Sequence, residues 1–285
     1  MSHTYDLAVV GGGAMGRGIA ETAAARGLKV AVIEISAEQR QRALAQMRGS
    51  LEKAIKKGRL KFSSADDVLP HIVWAESLSA AADAALVVEA VPETEALKID
   101  LFQQLDALCP PDTILASNTS SISIDRLAAA TRRPEKVAGM HFFNPVPIMP
   151  PVEIVRGAAT DDATVTTVKD LAERMGKQAF VVRDRPGFVV NRVLMPLINE
   201  AVWALSENVA DAATIDSLMK LGCNHPMGPL ELADFVGLDI CLSILQVLER
   251  DLKNPKFAPC PLLATLVAEG KLGRKSGEGF YKHER

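Results

Sequence analysis

The sequence predicts an α/β fold: a Rossmann-type, doubly wound, mostly parallel sheet followed by an all-helical C-terminal domain. Three observations predict it. Short apolar runs alternate with helix-like stretches through the first two-thirds of the chain, a glycine-rich loop follows the first run, and strand signals nearly vanish after the break Asp184–Phe188. With 285 residues the chain exceeds one ordinary domain of ~100–200 residues. The boundary is expected at Arg185, giving a nucleotide-binding domain over 1–185 and a helical substrate and dimerisation domain over 186–285.

The elements follow in order. Leu7–Val10 reads as the first strand, and Gly11-Gly12-Gly13-Ala14-Met15-Gly16 opens a helix running to Arg26. Val30–Ile33 is the second strand, and Ala37–Lys57 forms one helical stretch longer than a crossover needs. Leu86–Glu89, Ile114–Ala116, Val137–Met140, Val152–Val155 and Ala179–Arg183 are further strands, with a helix near Val165–Met175. Beyond Arg185, apolar residues recur at helical spacing in Val189–Ser206, Ala212–Leu221 and Leu230–Leu252.

Composition removes several function classes. Net charge is −3 and pI near 6.0, so nothing in the overall charge suggests nucleic acid or a membrane surface, and an anionic ligand must be held locally. The longest apolar windows fall far short of the ~20 residues of a membrane span. Cys109, Cys223, Cys241 and Cys260 are scattered and form no CxxC pair, which indicates neither a zinc site nor a disulfide framework. The start MSHTYDLAVV runs straight into a strand, and the cytosol is the expected compartment.

Each glycine of the GxGxxG pattern has a physical reason. Gly11 permits a tight turn, Gly13 lets the backbone approach a pyrophosphate, and Gly16 allows the helix to pack closely on the sheet. Glu34 ends the second strand, 23 residues after Gly11, where an acid binds the hydroxyls of an adenosine ribose and repels a 2′-phosphate. No arginine immediately follows it, which favours NAD over NADP.

Between Ser117 and Pro151 the sequence becomes unusual: SNTSS, then GMHFFNPVPIMP, with Glu153 just beyond. A histidine at a strand end, with a carboxylate on the following strand, can act as a base whose other nitrogen is oriented by that carboxylate. On the residues alone, His141 as a satisfied core histidine is an equal alternative.

The motifs GGGAMGRGIA, VVEAVPE, ILASNTSSISI, GMHFFNPVPIM, PGFVVNR, KLGCNHPMGPLELADFVGLD and GRKSGEGFY occur in an order and spacing that resemble the 3-hydroxyacyl-CoA dehydrogenase family, particularly its short stand-alone bacterial 3-hydroxybutyryl-CoA members, over nearly the whole chain. The resemblance implies an acyl-coenzyme A substrate, NAD as cofactor and a homodimer. It makes His141 the general base and Glu153 its partner, with Ser120 and Asn191 holding the 3-oxygen and the neighbouring carbonyl. It further implies Glu93, Lys98, Asn118, Asn144 and Lys275 beside the nicotinamide half of the cofactor, and Ser50 and Lys57 at the coenzyme A moiety.

Simpler roles stand beside these. Lys98 can be a surface residue paired with Glu95, Ser120 and Asn191 can be helix caps, and Lys53 and Arg59 can merely solvate a helix face. Two departures from the family pattern stand out: Glu34 replaces an aspartate, and an additional Pro151 falls where it can displace the strand carrying Glu153. Two other functions fit the same architecture, a dehydrogenase of a free hydroxy or sugar acid and a non-catalytic NAD-binding structural protein.

Overall fold

Every residue of β1 (Leu7–Val10) and β2 (Val30–Ile33) is buried, as strands are when helices cover both faces of a sheet. The structure, a computed structural model, describes residues 3–284. Six further strands, β3 (Ile72–Ala75), β4 (Leu86–Glu89), β5 (Ile114–Ser117), β6 (Val137–Phe142), β7 (Pro151–Arg156) and β8 (Gln178–Arg183), complete a sheet in the order β3-β2-β1-β4-β5-β6-β7-β8. The first six in that order are parallel. Strand β7 runs antiparallel to β6, and β8 parallel to β7.

Crossover helices α1 (Ala14–Ala24), α2 (Ala37–Lys56), α3 (Glu95–Leu108), α4 (Ile124–Ala128) and α5 (Asp162–Arg174) flank the strands. Ile19, Ala23, Met47 and Leu51 join Val9, Val32 and Val88 in the largest buried cluster. The strand order reverses between β1 and β4, and ligands of such sheets bind at the carboxyl ends of strands beside that reversal.

Strand β3 escaped the sequence reading. It is a half-exposed edge strand of four residues following two short 3₁₀ turns, too brief to establish an alternation of its own.

Chain contacts divide the molecule after Asp184. The second unit is helical: α6 (Val190–Ser206), α7 (Ala212–Gly222), α8 (Pro229–Val236), α9 (Leu238–Leu252) and α10 (Pro261–Ala268), packed on Ile198, Val202, Leu230, Leu245 and Leu263. The single helical stretch expected over Leu230–Leu252 is two helices, because Gly237 adopts φ +107°, outside the helical region.

The closing GRKSGEGFY segment is held by Asp234. Its carboxylate accepts from Phe280 N at 2.8 Å, from Tyr281 N at 2.9 Å and from the His283 ring at 2.8 Å. A Cβ on Gly273 would lie 2.3 Å from the Asp234 carbonyl oxygen, and one on Gly279 would lie 2.1 Å from its carboxylate. Gly273 and Gly279 are therefore demanded by close approach.

Candidate active site

The glycine loop occupies the carboxyl end of β1. Gly11 has φ +104°, and a Cβ there would sit 2.8 Å from the Ala90 carbonyl oxygen; one on Gly16 would sit 1.9 Å from Gly11 O. Around Gly13, by contrast, a Cβ would meet nothing within 4 Å, leaving space for a phosphate to approach the backbone. Helix α1 starts immediately afterwards with no acidic residue in its first turn and no side-chain cap, so its amino-terminal N–H groups suit an anion.

Glu34 closes this loop. One carboxylate oxygen accepts from Gly12 N at 2.9 Å and the other from Ser36 N at 3.0 Å. Arg40 lies nearby but donates to the carbonyls of Glu34 and Ile35 and pairs with Glu76. These residues fit a dinucleotide: a cradle for the pyrophosphate at Gly13 and a fixed acid at the end of β2 for the ribose.

At the carboxyl ends of β4 and β5 lies an ionic network. Lys98 on α3 is buried, not a surface residue paired with Glu95. Its ammonium lies 2.5 Å from Glu89 and 3.1 Å from Glu93. Glu89, wholly buried, also accepts from Val91 N and from the Ser117 hydroxyl. Glu93 in turn accepts from Thr119 and from the backbone N–H groups of Ser120 at 2.9 Å and Ser121 at 3.2 Å. Burial alone would push the Glu93 carboxyl up, but the Lys98 charge and these hydrogen bonds outweigh it and hold the carboxyl below its ordinary 4.5. The network thus fixes the SNTSS loop. Helix α4 is capped by Ser123 rather than by Ser120, which removes capping as the explanation for Ser120.

His141 and Glu153 face each other in the register of the antiparallel pair β6 and β7. Residues so paired project to the same side of the sheet, and the His141 Nδ1 lies 2.7 Å from Glu153 Oε2, both side chains buried. Pro151 does not displace this strand. It is the first residue of β7, a position where a missing N–H is tolerated. Asn118 accepts from Phe142 N at 3.0 Å, tying the end of β5 to the strand that carries His141. Asn144 lies exposed just beyond β6.

Asn191 and Lys275 belong to the second unit. Asn191 is buried inside the first turn of α6, whose capping position is Val189, so it is not the cap itself. Lys275 pairs with Asp239 at 2.5 Å.

Ser50 and Lys57 line a cavity of about 310 Å³ in the first unit, walled by α1, α2 and the Pro147–Pro150 segment that follows the strand of His141. Lys53 and Arg59 line it too, both exposed to solvent. Glu21 lies in the same lining, and its carboxylate accepts from the Ser50 hydroxyl at 2.6 Å.

Glu89, Thr119, Glu21 and Asp234 went unremarked in the sequence. A charge ending the otherwise apolar strand LVVE was the one signal available for Glu89.

The sequence pattern of the NAD-binding domain of 3-hydroxyacyl-CoA dehydrogenase matches residues 6–185, and that of the C-terminal domain matches residues 187–283. The chain belongs to the 3-hydroxyacyl-CoA dehydrogenase family. A probable 3-hydroxybutyryl-CoA dehydrogenase of Bacillus subtilis is 49% identical over 278 residues, covering 98% of this chain and 97% of the relative. A 3-hydroxybutyryl-CoA dehydrogenase of Bradyrhizobium diazoefficiens is likewise 49% identical, over 97% of this chain and 94% of the relative. Among solved structures, the (S)-3-hydroxybutyryl-CoA dehydrogenase of Ralstonia eutropha superposes with a TM-score of 0.95 at 43% identity, covering 99% of this chain and 100% of that one. The first unit of this family member is thus its NAD-binding domain, and the doubly wound sheet with a helical C-terminal region is the architecture of its relatives. Among the described residues no helix is long and apolar enough to cross a membrane.

Proposed function

We propose that the chain interconverts an L-3-hydroxyacyl-CoA, with 3-hydroxybutyryl-CoA the expected substrate, and the corresponding 3-oxoacyl-CoA, with His141 as general base. The observation that carries this role is the 2.7 Å contact of His141 with Glu153, set by strand register at the carboxyl edge of the sheet where the glycine loop and Glu34 also lie. Glu153 accepting from Nδ1–H places the basic lone pair of the imidazole on Nε2 and stabilises the imidazolium once formed. Nε2 takes the proton of the 3-hydroxyl; in the reverse direction it returns it. NAD bound at this edge supplies the hydride acceptor for C3. Ser120 and Asn191 hold the 3-oxygen and the thioester carbonyl, and Glu93, Lys98, Asn118, Asn144 and Lys275 serve the nicotinamide half.

Ser50 and Lys57 hold the coenzyme A moiety. The cations gathered around their cavity support that reading, since the adenosine phosphates are anionic. The second unit forms a homodimer; Val193, Leu218 and Leu221 on its helices are exposed apolar residues, as an interface requires. All four cysteines are free thiols, as suits a protein working in the reducing cytoplasm.

The test follows nicotinamide absorbance with acetoacetyl-CoA and NADH, against free acetoacetate and NADPH. Rapid oxidation only with the thioester and NADH is expected. Turnover of the free acid would transfer the site to hydroxy-acid chemistry, and inactivity of the intact protein equal to that of His141→Ala would make it non-catalytic. Light scattering at micromolar concentration should give a dimeric mass.

A further inference from the structure

Glu21 is an acid in a place that favours anions. It sits on α1, 1% exposed, in the lining of the cavity that also contains Ser50. One of its oxygens accepts from the Ser50 hydroxyl at 2.6 Å, while the other is buried without a hydrogen-bond partner. The charged groups around it are all cations. Arg17, one turn earlier on the same helix, lies 3.7 Å from the unpartnered oxygen. Arg26 follows α1, Lys53 lies on α2, Lys57 and Arg59 just follow it, and Lys177 precedes β8; all five line the cavity. Lys177 is already committed to the carbonyls of Val146 and Met149.

A buried carboxylate in this position does two things. It cancels one positive charge where phosphates are expected, and it consumes the hydroxyl hydrogen of Ser50, because an ionised carboxylate can only accept. A neutral acid reverses both. It adds one unit back to the positive charge of the cavity, and its own O–H donates to Ser50, leaving the serine hydrogen for a ligand oxygen.

Building on the assignment of coenzyme A to Ser50 and Lys57, we infer that Glu21 is a positioning residue that acts through Ser50, setting affinity for the phosphate-bearing part of the substrate by its own protonation. The neutral form is the tight-binding form. Burial pushes the Glu21 carboxyl up to about 7, against the opposing pull of the Ser50 hydrogen bond and the Arg17 charge, so both forms are populated near neutrality.

Free coenzyme A titrated calorimetrically into the full-length protein at about pH 6 and about pH 8 tests this, with Glu21→Gln, Ser50→Ala and Lys57→Ala alongside. The Gln amide donates to Ser50 as the neutral acid does. Wild-type affinity should therefore fall several-fold from the lower to the higher pH relative to Glu21→Gln, which stays tight. The phosphate monoester itself titrates near ~6, but equally for both proteins. Binding that is unchanged in both Ser50→Ala and Lys57→Ala removes coenzyme A from this cavity, and the inference with it. Weakened binding in those two variants, with wild type and Glu21→Gln tracking each other across pH, overturns the role of Glu21 alone. Carbon NMR of glutamate-labelled wild-type protein gives a readout without substitution. One carboxyl should titrate near neutrality and move to higher pH when coenzyme A is added, and its absence would refute the proposal.

Discussion

Lys98 and Glu89 form an ion pair of 2.5 Å with the lysine side chain 1% exposed and the glutamate not at all. A buried pair of this kind is costly to break, since the surviving charge has no water to fall back on. Here it is also the root of the site. Glu89 holds Lys98, Lys98 holds Glu93, and Glu93 holds the backbone of Ser120.

Lys98→Met should therefore destabilise the protein by about 3–5 kcal/mol, the usual range for a buried pair that loses one partner. Chemical denaturation measures this directly. In whatever fraction folds, KM for NADH should rise because the Glu93 loop loses its anchor; unchanged stability would contradict the anchoring role of the pair.

His141→Ala should lower kcat by ~10²–10⁴-fold while KM for acetoacetyl-CoA stays within a few-fold, the pattern for removal of a proton-transfer group. Glu153→Gln should lower kcat as well, because the amide keeps the shape of the partner but loses the charge that stabilises the imidazolium. Steady-state kinetics on the folded variants, checked by circular dichroism, decides between this and a merely structural histidine.

Glu93 gives a sign for the acid limb of stability. Its carboxyl is held below its ordinary 4.5 in the folded state, so its contribution is present above that value and is lost as pH falls through the depressed value. Glu93→Gln should be less stable than wild type at neutral pH, and the difference should shrink toward acid. Melting curves taken as pH is lowered below the ordinary carboxylate range read this out, and a constant difference would contradict it.

Glu21 has the opposite sign. Its folded value of about 7 lies above its ordinary 4.5, so the native state favours the proton, and stability is lost as pH rises between those values. Over that interval Glu21→Gln should gain on wild type by at most about 3 kcal/mol, because each pH unit between the two values contributes ~1.4 kcal/mol. Denaturation midpoints that fail to converge or cross between acid and mildly alkaline pH would argue that the carboxyl titrates normally.

Local pattern was enough to make part of this protein legible. The apolar runs, the GxGxxG loop and Glu34 specified a doubly wound sheet with a dinucleotide edge, because strand burial and loop geometry constrain residues close in the chain. The ordered motifs reached His141, Glu153, Ser120 and Ser50 as candidates. The rest depends on partners far apart in sequence. The strand register sets Glu153 against His141, twelve residues away, despite Pro151. Burial turns Lys98 from a plausible surface lysine into the hub of a network, since a helix pattern does not say which charged residue the core will accept. The packing of α1 against α2 places Glu21 on Ser50, 29 residues away. Distance along the chain hides such pairs, and folding supplies the desolvation that gives them their chemistry.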